Sequence, residues 1–176
     1  AFIGSTGCGT STLVNLIPRF YDVTDGKITI DGKDIRNVSQ HELREKLGYV
    51  PQKAVLFSGD IASNILYGNP DGSEAEMTEA ATIAQATEFI EQKKKKYKST
   101  ISQGGSNVSG GQKQRLSIAR AIAKHPDVYI FDDSFSALDY KTDATLRAKL
   151  KEKTSESTVM IVAQRISTIL HADQII

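Results

Sequence analysis

Gly4-Ser5-Thr6-Gly7-Cys8-Gly9-Thr10-Ser11-Thr12 constrains this chain more than any other stretch, because a strand tail, Ala1-Phe2-Ile3, enters it and a helix over about Ser11 to Leu16 leaves it. Its glycines let successive backbone N–H groups converge on phosphate oxygens, and the helix that follows offers its positive end. The spacing matches the phosphate-loop pattern G-x-x-x-x-G-K-[ST] except at Thr10, which stands where lysine reaches the β- and γ-phosphates. Ser11 supplies the hydroxyl that the pattern directs at Mg²⁺. The missing lysine is a charge-assisted contact worth about 1.5 to 3 kcal/mol. The loop is therefore built for a phosphate and lacks one charge, so nucleotide binding by its own residues is weak or different in kind.

Downstream, Lys27-Ile28-Thr29-Ile30 alternates and runs into Asp31-Gly32, a hairpin turn dipeptide, which predicts a small antiparallel β portion. Leu47 to Val50 reads as a buried strand whose end delivers Gln52 to a site. A helical pattern from Ser73 to about Gln92 opens with Ser73 and Glu76 at capping-box spacing and carries apolar Met77, Ala80, Ala81 and Ala84 on one side. A second helix is expected from Gln112 to Lys124, stopping before Pro126. Val128 to Phe131 leads into Asp132-Asp133 as a central parallel strand buried on both faces. A helix over about Lys141 to Glu152 then precedes a strand from Thr158 to Ala163. Strands alternating with helices predict an α/β fold with a mainly parallel sheet flanked by helices, and a helical segment inserted at about residues 60–125.

At 176 residues the chain reads as one domain, and its 22 basic and 21 acidic residues leave a net charge of +1. That balance argues against a nucleic-acid partner. Lys93 to Lys96 with Lys98 form a charge run without interleaved aromatics, which reads as a solvated helix end. One cysteine, Cys8, excludes a disulfide framework and fits a reducing compartment. The apolar run Val159 to Ala163 is about a quarter of the roughly 20 residues a spanning helix needs. The chain opens inside a strand, ends at Ile175-Ile176 where another strand would begin, and has no initiating Met, so a piece truncated at both ends is expected.

Chemistry concentrates in a few places. Ser109-Gly110-Gly111-Gln112 opens a helix with two glycines and again presents amides at a positive helix end. Two anion-binding termini are redundant for one nucleotide in one monomer. A head-to-tail pair of domains, however, could sandwich each nucleotide between the loop of one and the Ser-Gly-Gly-Gln of the other. Asp132, at the end of the apolar strand, is placed to hold Mg²⁺. Asp133 follows it where a hydrolase needs a carboxylate to orient water, and aspartate is one methylene shorter than glutamate, a shortfall of about 1.5 Å that costs orders of magnitude in rate. Gln164, just past the last strand, can hydrogen-bond a phosphate but cannot act as acid or base as histidine could. Plainer roles stand beside these: Asp133 as a neighbour tuning Asp132, Gln164 as a strand-end cap, Asp139 as a helix cap. Cys8 replaces a small residue, and as a thiol beside phosphate-binding amides it is expected to be acidic and open to alkylation.

On these motifs nearly the whole chain resembles the nucleotide-binding domain of an ATP-binding cassette (ABC) transporter, a P-loop NTPase. The resemblance makes Gly4 through Thr12 the Walker A loop, Gln52 the Q-loop glutamine, and Ser109 through Gln112 the signature motif, carried on the helical subdomain. It makes Asp132 the end of Walker B, Ser136-Ala137-Leu138-Asp139 the D-loop, and Gln164 the switch position. Pro51-Gln52 followed by Leu56-Phe57-Ser58-Gly59 and Asn64-Ile65 is similar to exporter-type domains, often fused behind a six-helix membrane domain. The resemblance implies ATP and Mg²⁺ as ligands, with the metal on Ser11, Gln52 and Asp132. It further implies ATPase activity coupled to transport, a second nucleotide-binding domain and a transmembrane domain as partners, and a place at the cytoplasmic face of a membrane.

Three departures from the family pattern, Thr10 for lysine, Asp133 for glutamate and Gln164 for histidine, fall in one half-site, while Ser109 through Gln112 is unaltered. That distribution resembles the degenerate subunit of a heterodimeric exporter, whose signature completes a non-identical partner's active site. Two alternatives stay open: a decayed or truncated copy without nucleotide function, and a soluble ABC-type ATPase working on DNA or ribosomes, which the near-neutral charge disfavours.

Overall fold

In the computed structural model, which describes residues 1–5 and 7–176, the chain begins with β1 (Phe2–Ile3) and passes through the glycine loop into α1 (Thr10–Asn15). β2 (Thr29–Ile30) and β3 (Lys33–Asp34) pair antiparallel across Asp31 and Gly32, whose φ values of 51° and 75° are those of the two-residue hairpin turn that dipeptide favours. α2 (Gln40–Glu45), capped reciprocally by Ser39 and Glu42, leads directly into β4 (Leu47–Val50). β5 (Gly59–Asp60) opens α3 (Ile61–Ile65), and α4 (Glu74–Ile83) and α5 (Thr87–Glu91) follow. β6 (Thr100–Ile101) pairs back onto β5, then come α6 (Gly110–Ala123), β7 (Val128–Asp132), α7 (Tyr140–Lys153), β8 (Thr158–Ala163) and α8 (Ile166–Ile169).

The central sheet is wholly parallel, in the order β1-β8-β7-β4. β7 lies between two neighbours and every one of its residues is buried, as its unbroken apolar sequence requires. Its pleat splits the core. Val128 and Ile130 pack with Val14, Ile17 and Leu43 of the α1 and α2 side, whereas Tyr129 and Phe131 face Leu116, Ile122, Leu146 and Leu150 of α6 and α7. The sheet is thus covered on both faces, an α/β fold. All four sheet strands run the same way, so the segments after them gather at one edge, where sites of such folds lie.

Two expectations need correction. The helix read from Ser73 to about Gln92 is two helices, because Gln85 adopts φ 56° and closes α4 with paired bonds, Ala86 N–H to Ala81 C=O at 2.8 Å and Gln85 N–H to Thr82 C=O at 3.2 Å. This left-handed terminus favours glycine, and a glutamine in its place hides the signal. The strand expected at Ile175-Ile176 is not formed as an element, although Ile176 exchanges two backbone hydrogen bonds of 3.0 Å with Ala1 and Ile3. Among the described residues, no helix is long and apolar enough to cross a membrane.

Candidate functional site

The loop after β1 takes backbone angles that side chains resist: Gly7 and Gly9 sit at φ 85° and 95°. Gly9 is the N-cap of α1 and has no side chain to satisfy the helix's first amides, so none of them receives a side-chain cap. A Cβ on Gly4 would run into Cys8 Sγ. Ser5 C=O accepts the Cys8 N–H at 3.1 Å. Ser5, Gly7, Cys8, Gly9 and Thr12 are exposed, and Thr10 and Ser11 half-exposed. Thr6, also expected to bind nucleotide, lies outside the described residues.

β7 brings Asp132 beneath this loop. Ser11 Oγ donates to Asp132 Oδ1 at 2.9 Å, joining residues 121 positions apart. Tyr49, on β4, donates to Asn15 Oδ1 at 2.8 Å and lies 3.4 Å from Asp132 Oδ2. Burial and the negative charge of Asp132 push the Tyr49 phenol up to about 12, so it remains a donor. Neither Tyr49 nor Asn15 was singled out from sequence. Tyr49 lies beside Val50 on a strand read as buried, and no local motif marks it.

Gln52 leaves the end of β4 and turns to Asp133: its Nε2 donates to Asp133 Oδ2 at 3.1 Å. The segment is anchored by Gln114, buried in α6, whose Nε2 donates to Pro51 C=O at 3.1 Å, and by Ser134 Oγ, which donates to Val50 C=O at 2.8 Å. Asp133 has φ 45°, unusual for a residue with a side chain, and its N–H bonds Val162 C=O at 3.0 Å. Asp133 and Gln164 line one cleft of about 290 Å³ with Ser136, Arg165 and Thr168. Gln164 itself is exposed.

Ser109 through Gln112 form a separate group. Ser109 Oγ accepts the Gln112 N–H and Gln112 Oε1 accepts the Ser109 N–H, both at 3.2 Å, so α6 begins at Gly110, two residues before the expected Gln112. A Cβ on Gly110 would meet nothing within 4 Å, and one on Gly111 would face Ala137 C=O. No hydrogen bond among the described residues joins this group to the Gly4 loop. Asp139 caps α7, accepting the Thr142 N–H at 3.0 Å, and the Thr142 side chain and backbone hold its carboxyl below the usual range.

Ser11, Asp132 and Gln52 offer one hydroxyl, one carboxylate and one amide oxygen, a hard oxygen set of the class Mg²⁺ takes. Among the described residues no cluster of three or more His, Cys, Asp or Glu could hold a metal.

The family described as ABC transporter matches residues 1–136. An uncharacterized ABC transporter ATP-binding protein of Mycobacterium tuberculosis is 48% identical over 179 residues, covering 100% of this chain and 30% of that protein. A Staphylococcus aureus protein, provisionally named a multidrug export ATP-binding/permease protein, is 45% identical over 176 residues with 100% of this chain and 30% of that protein covered. The solved structure of a bacterial Atm1-family ABC exporter with ATP bound superimposes with a TM-score of 0.95 at 41% identity, over 99% of this chain and 31% of that one. The chain thus spans less than a third of the length of the relatives it matches. It belongs to the ABC transporter family, as a nucleotide-binding domain of exporter type.

Proposed function

We propose that this chain is one ATP-binding domain of an ABC exporter, that its own nucleotide site is degenerate, and that its signature motif completes the active site of a non-identical partner domain. The observation that carries this reading is the contrast between the two groups: Ser109 through Gln112 retain every family residue and a fully formed cap, while Thr10, Asp133 and Gln164 alter one half-site together. A decayed copy has no reason to sort its losses that way.

In this reading Gly4, Ser5, Thr6, Gly7, Cys8, Gly9, Thr10, Ser11 and Thr12 cradle the phosphates through backbone amides, and Ser11, Gln52 and Asp132 hold Mg²⁺. The metal, when bound, supplies the positive charge against the β- and γ-phosphates that Thr10 does not. Ser11 is oriented for this by its bond to Asp132. Asp133 and Gln164 occupy the catalytic positions, the first with too short a reach to orient water well and the second with an amide that is neither acid nor base near neutral pH, so nucleotide is held and turned over slowly here. In trans, the exposed Ser109 and Gly110 offer a hydroxyl and an amide to the partner's γ-phosphate, and Asp139 lies on the loop that meets the partner.

In this reading the transmembrane part docks on the platform that Val55, Phe57 and Tyr67 form. Phe57 and Tyr67 stack at 4.4 Å with Arg120 over both rings, and Val55, Phe57 and Tyr67 are 53%, 41% and 60% exposed. An exposed apolar surface on so rigid a base suits a short helix from a membrane domain, fused or separate, at the cytoplasmic face.

The test is single-turnover ATP hydrolysis by the full-length protein with and without its partner. Turnover that requires the partner and is abolished by Ser109→Ala supports the proposal; ordinary turnover by this protein alone defeats it. Thr10→Lys should strengthen ATP binding about tenfold to a hundredfold without restoring hydrolysis. No binding even in Thr10→Lys would leave the decayed copy as the better account.

A further inference from the structure

We infer that Asp133 is a positioning residue for Gln52. The inference rests on the reading that the site holds Mg²⁺ and nucleotide, and it assigns Asp133 a task of its own within it. A carboxylate only accepts hydrogen bonds, so the 3.1 Å contact with Asp133 Oδ2 fixes the Gln52 amide with its nitrogen toward Asp133. The other end of the amide, Oε1, is thereby the end left for a metal. A glutamine without that tether can present either end, and its nitrogen would repel a cation.

Asp133 is itself held. Its backbone sits at φ 45°, with its N–H bonded to Val162 C=O at 3.0 Å and its C=O accepting Ser136 Oγ at 2.8 Å. Both bonds pin the residue in a conformation disfavoured for a side-chain-bearing residue, and strain of this kind persists where the surroundings impose it. Gln52 is exposed while the backbone before it is anchored through Pro51 and Val50. The side chain is therefore the free element, and Asp133 is what orders it. Its Oδ2 is the oxygen engaged with the Gln52 amide.

The substitutions Asp133→Asn and Asp133→Ala both test the tether. Asparagine can still hydrogen-bond Gln52 but, unlike a carboxylate, pairs with either end of its amide; alanine pairs with neither. The experiment is Mn²⁺ binding in the presence of a non-hydrolysable ATP analogue, followed by electron paramagnetic resonance, on the full-length protein purified without a partner. Expected is a loss of about threefold to tenfold for Asp133→Ala and for Asp133→Asn, the scale of one partly exposed hydrogen bond, because only a carboxylate fixes which end of the Gln52 amide is free. Gln52→Ala should lose at least as much as Asp133→Ala, and the double substitution should lose no more than Gln52→Ala, which also guards against a folding defect in one variant. Wild-type affinity in Asp133→Ala, or a double substitution that loses the product of the two single losses, overturns the inference. Failure of the wild-type protein to bind Mn²⁺ and analogue at all would instead sink the reading beneath it, and the inference with it.

Discussion

Ser11 Oγ and Asp132 Oδ1 lie 2.9 Å apart across 121 residues of sequence, one at the start of α1 and the other at the end of β7. The bond closes the site: it fixes the hydroxyl that follows the glycine loop onto the carboxylate that ends the central strand. On the proposed reading, where Thr10 supplies no charge, a cation held by this pair would carry more of the phosphate-binding load than where lysine is present. Ser11→Ala is therefore expected to weaken Mg²⁺-dependent ATP binding about tenfold, the size of one charge-assisted hydrogen bond, and to change Mg²⁺-free binding little. Calorimetric titration with and without Mg²⁺ checks this, and equal losses in both would mean that Ser11 contacts phosphate directly.

Arg120 joins three segments. Its guanidinium donates to Asn64 C=O at 2.8 Å, Val55 C=O at 2.9 Å and Asn64 Oδ1 at 2.9 Å, and burial lowers its own proton affinity to about 10, so it stays charged at neutral pH. Arg120→Met would strand those acceptors and lose the stacking under Phe57 and Tyr67, at a cost of about 2 to 4 kcal/mol. Arg120→Lys should recover less than half, because an ammonium cannot reproduce the planar fork. Urea unfolding of the variants measures both values.

Much of this was legible in the sequence where a motif is local. The glycine loop, the Asp31-Gly32 hairpin, the capping boxes at Ser73 and Ser109, and the buried run of β7 each depend on residues a few positions apart. What escaped was of two kinds. Gln85 ends α4 in a backbone conformation that its side chain disguises, so a pattern of apolar spacing ran straight through it. Tyr49, Asn15, Gln114 and Ser134 act through contacts across 84 residues or fewer that no spacing rule connects. Ser11 and Asp132 were found only because each carries its own motif.

Cys8 tests the electrostatics of the loop. The Thr10 backbone N–H and then its hydroxyl hold the exposed thiol below its ordinary range. A group whose proton affinity is lowered is ionised at lower pH, so the iodoacetamide reaction should reach half its maximal rate below the pH found for a free cysteine. Thr10→Val removes the hydroxyl and keeps the backbone, and should move that midpoint upward but not fully back. ATP with Mg²⁺ should slow labelling at every pH. A pH profile that Thr10→Val leaves untouched would assign the whole effect to the backbone.

Asp143 and Arg147 make the most demanding prediction for stability, because they tie α7 to the segment after Gln164. Asp143 is 3% exposed and Arg147 19%, and they share a two-pronged pair at 2.8 and 3.1 Å. The same guanidinium donates to Ser167 C=O at 3.2 Å and Thr168 C=O at 3.4 Å, at the end of α8. Removing one partner leaves a buried carboxylate alone, so Arg147→Met should cost about 2 to 4 kcal/mol, somewhat below a fully enclosed pair because arginine retains some water. Replacing both, Asp143→Leu with Arg147→Met, removes the stranded charge and should recover most of that loss, leaving the carbonyls of α8 short of a donor. The variants therefore separate two jobs of one arginine. Urea unfolding reads the pair, and protease sensitivity near Arg165 reads the anchoring of α8, which the double variant should not restore. Recovery of both together would show that Arg147 serves Asp143 alone.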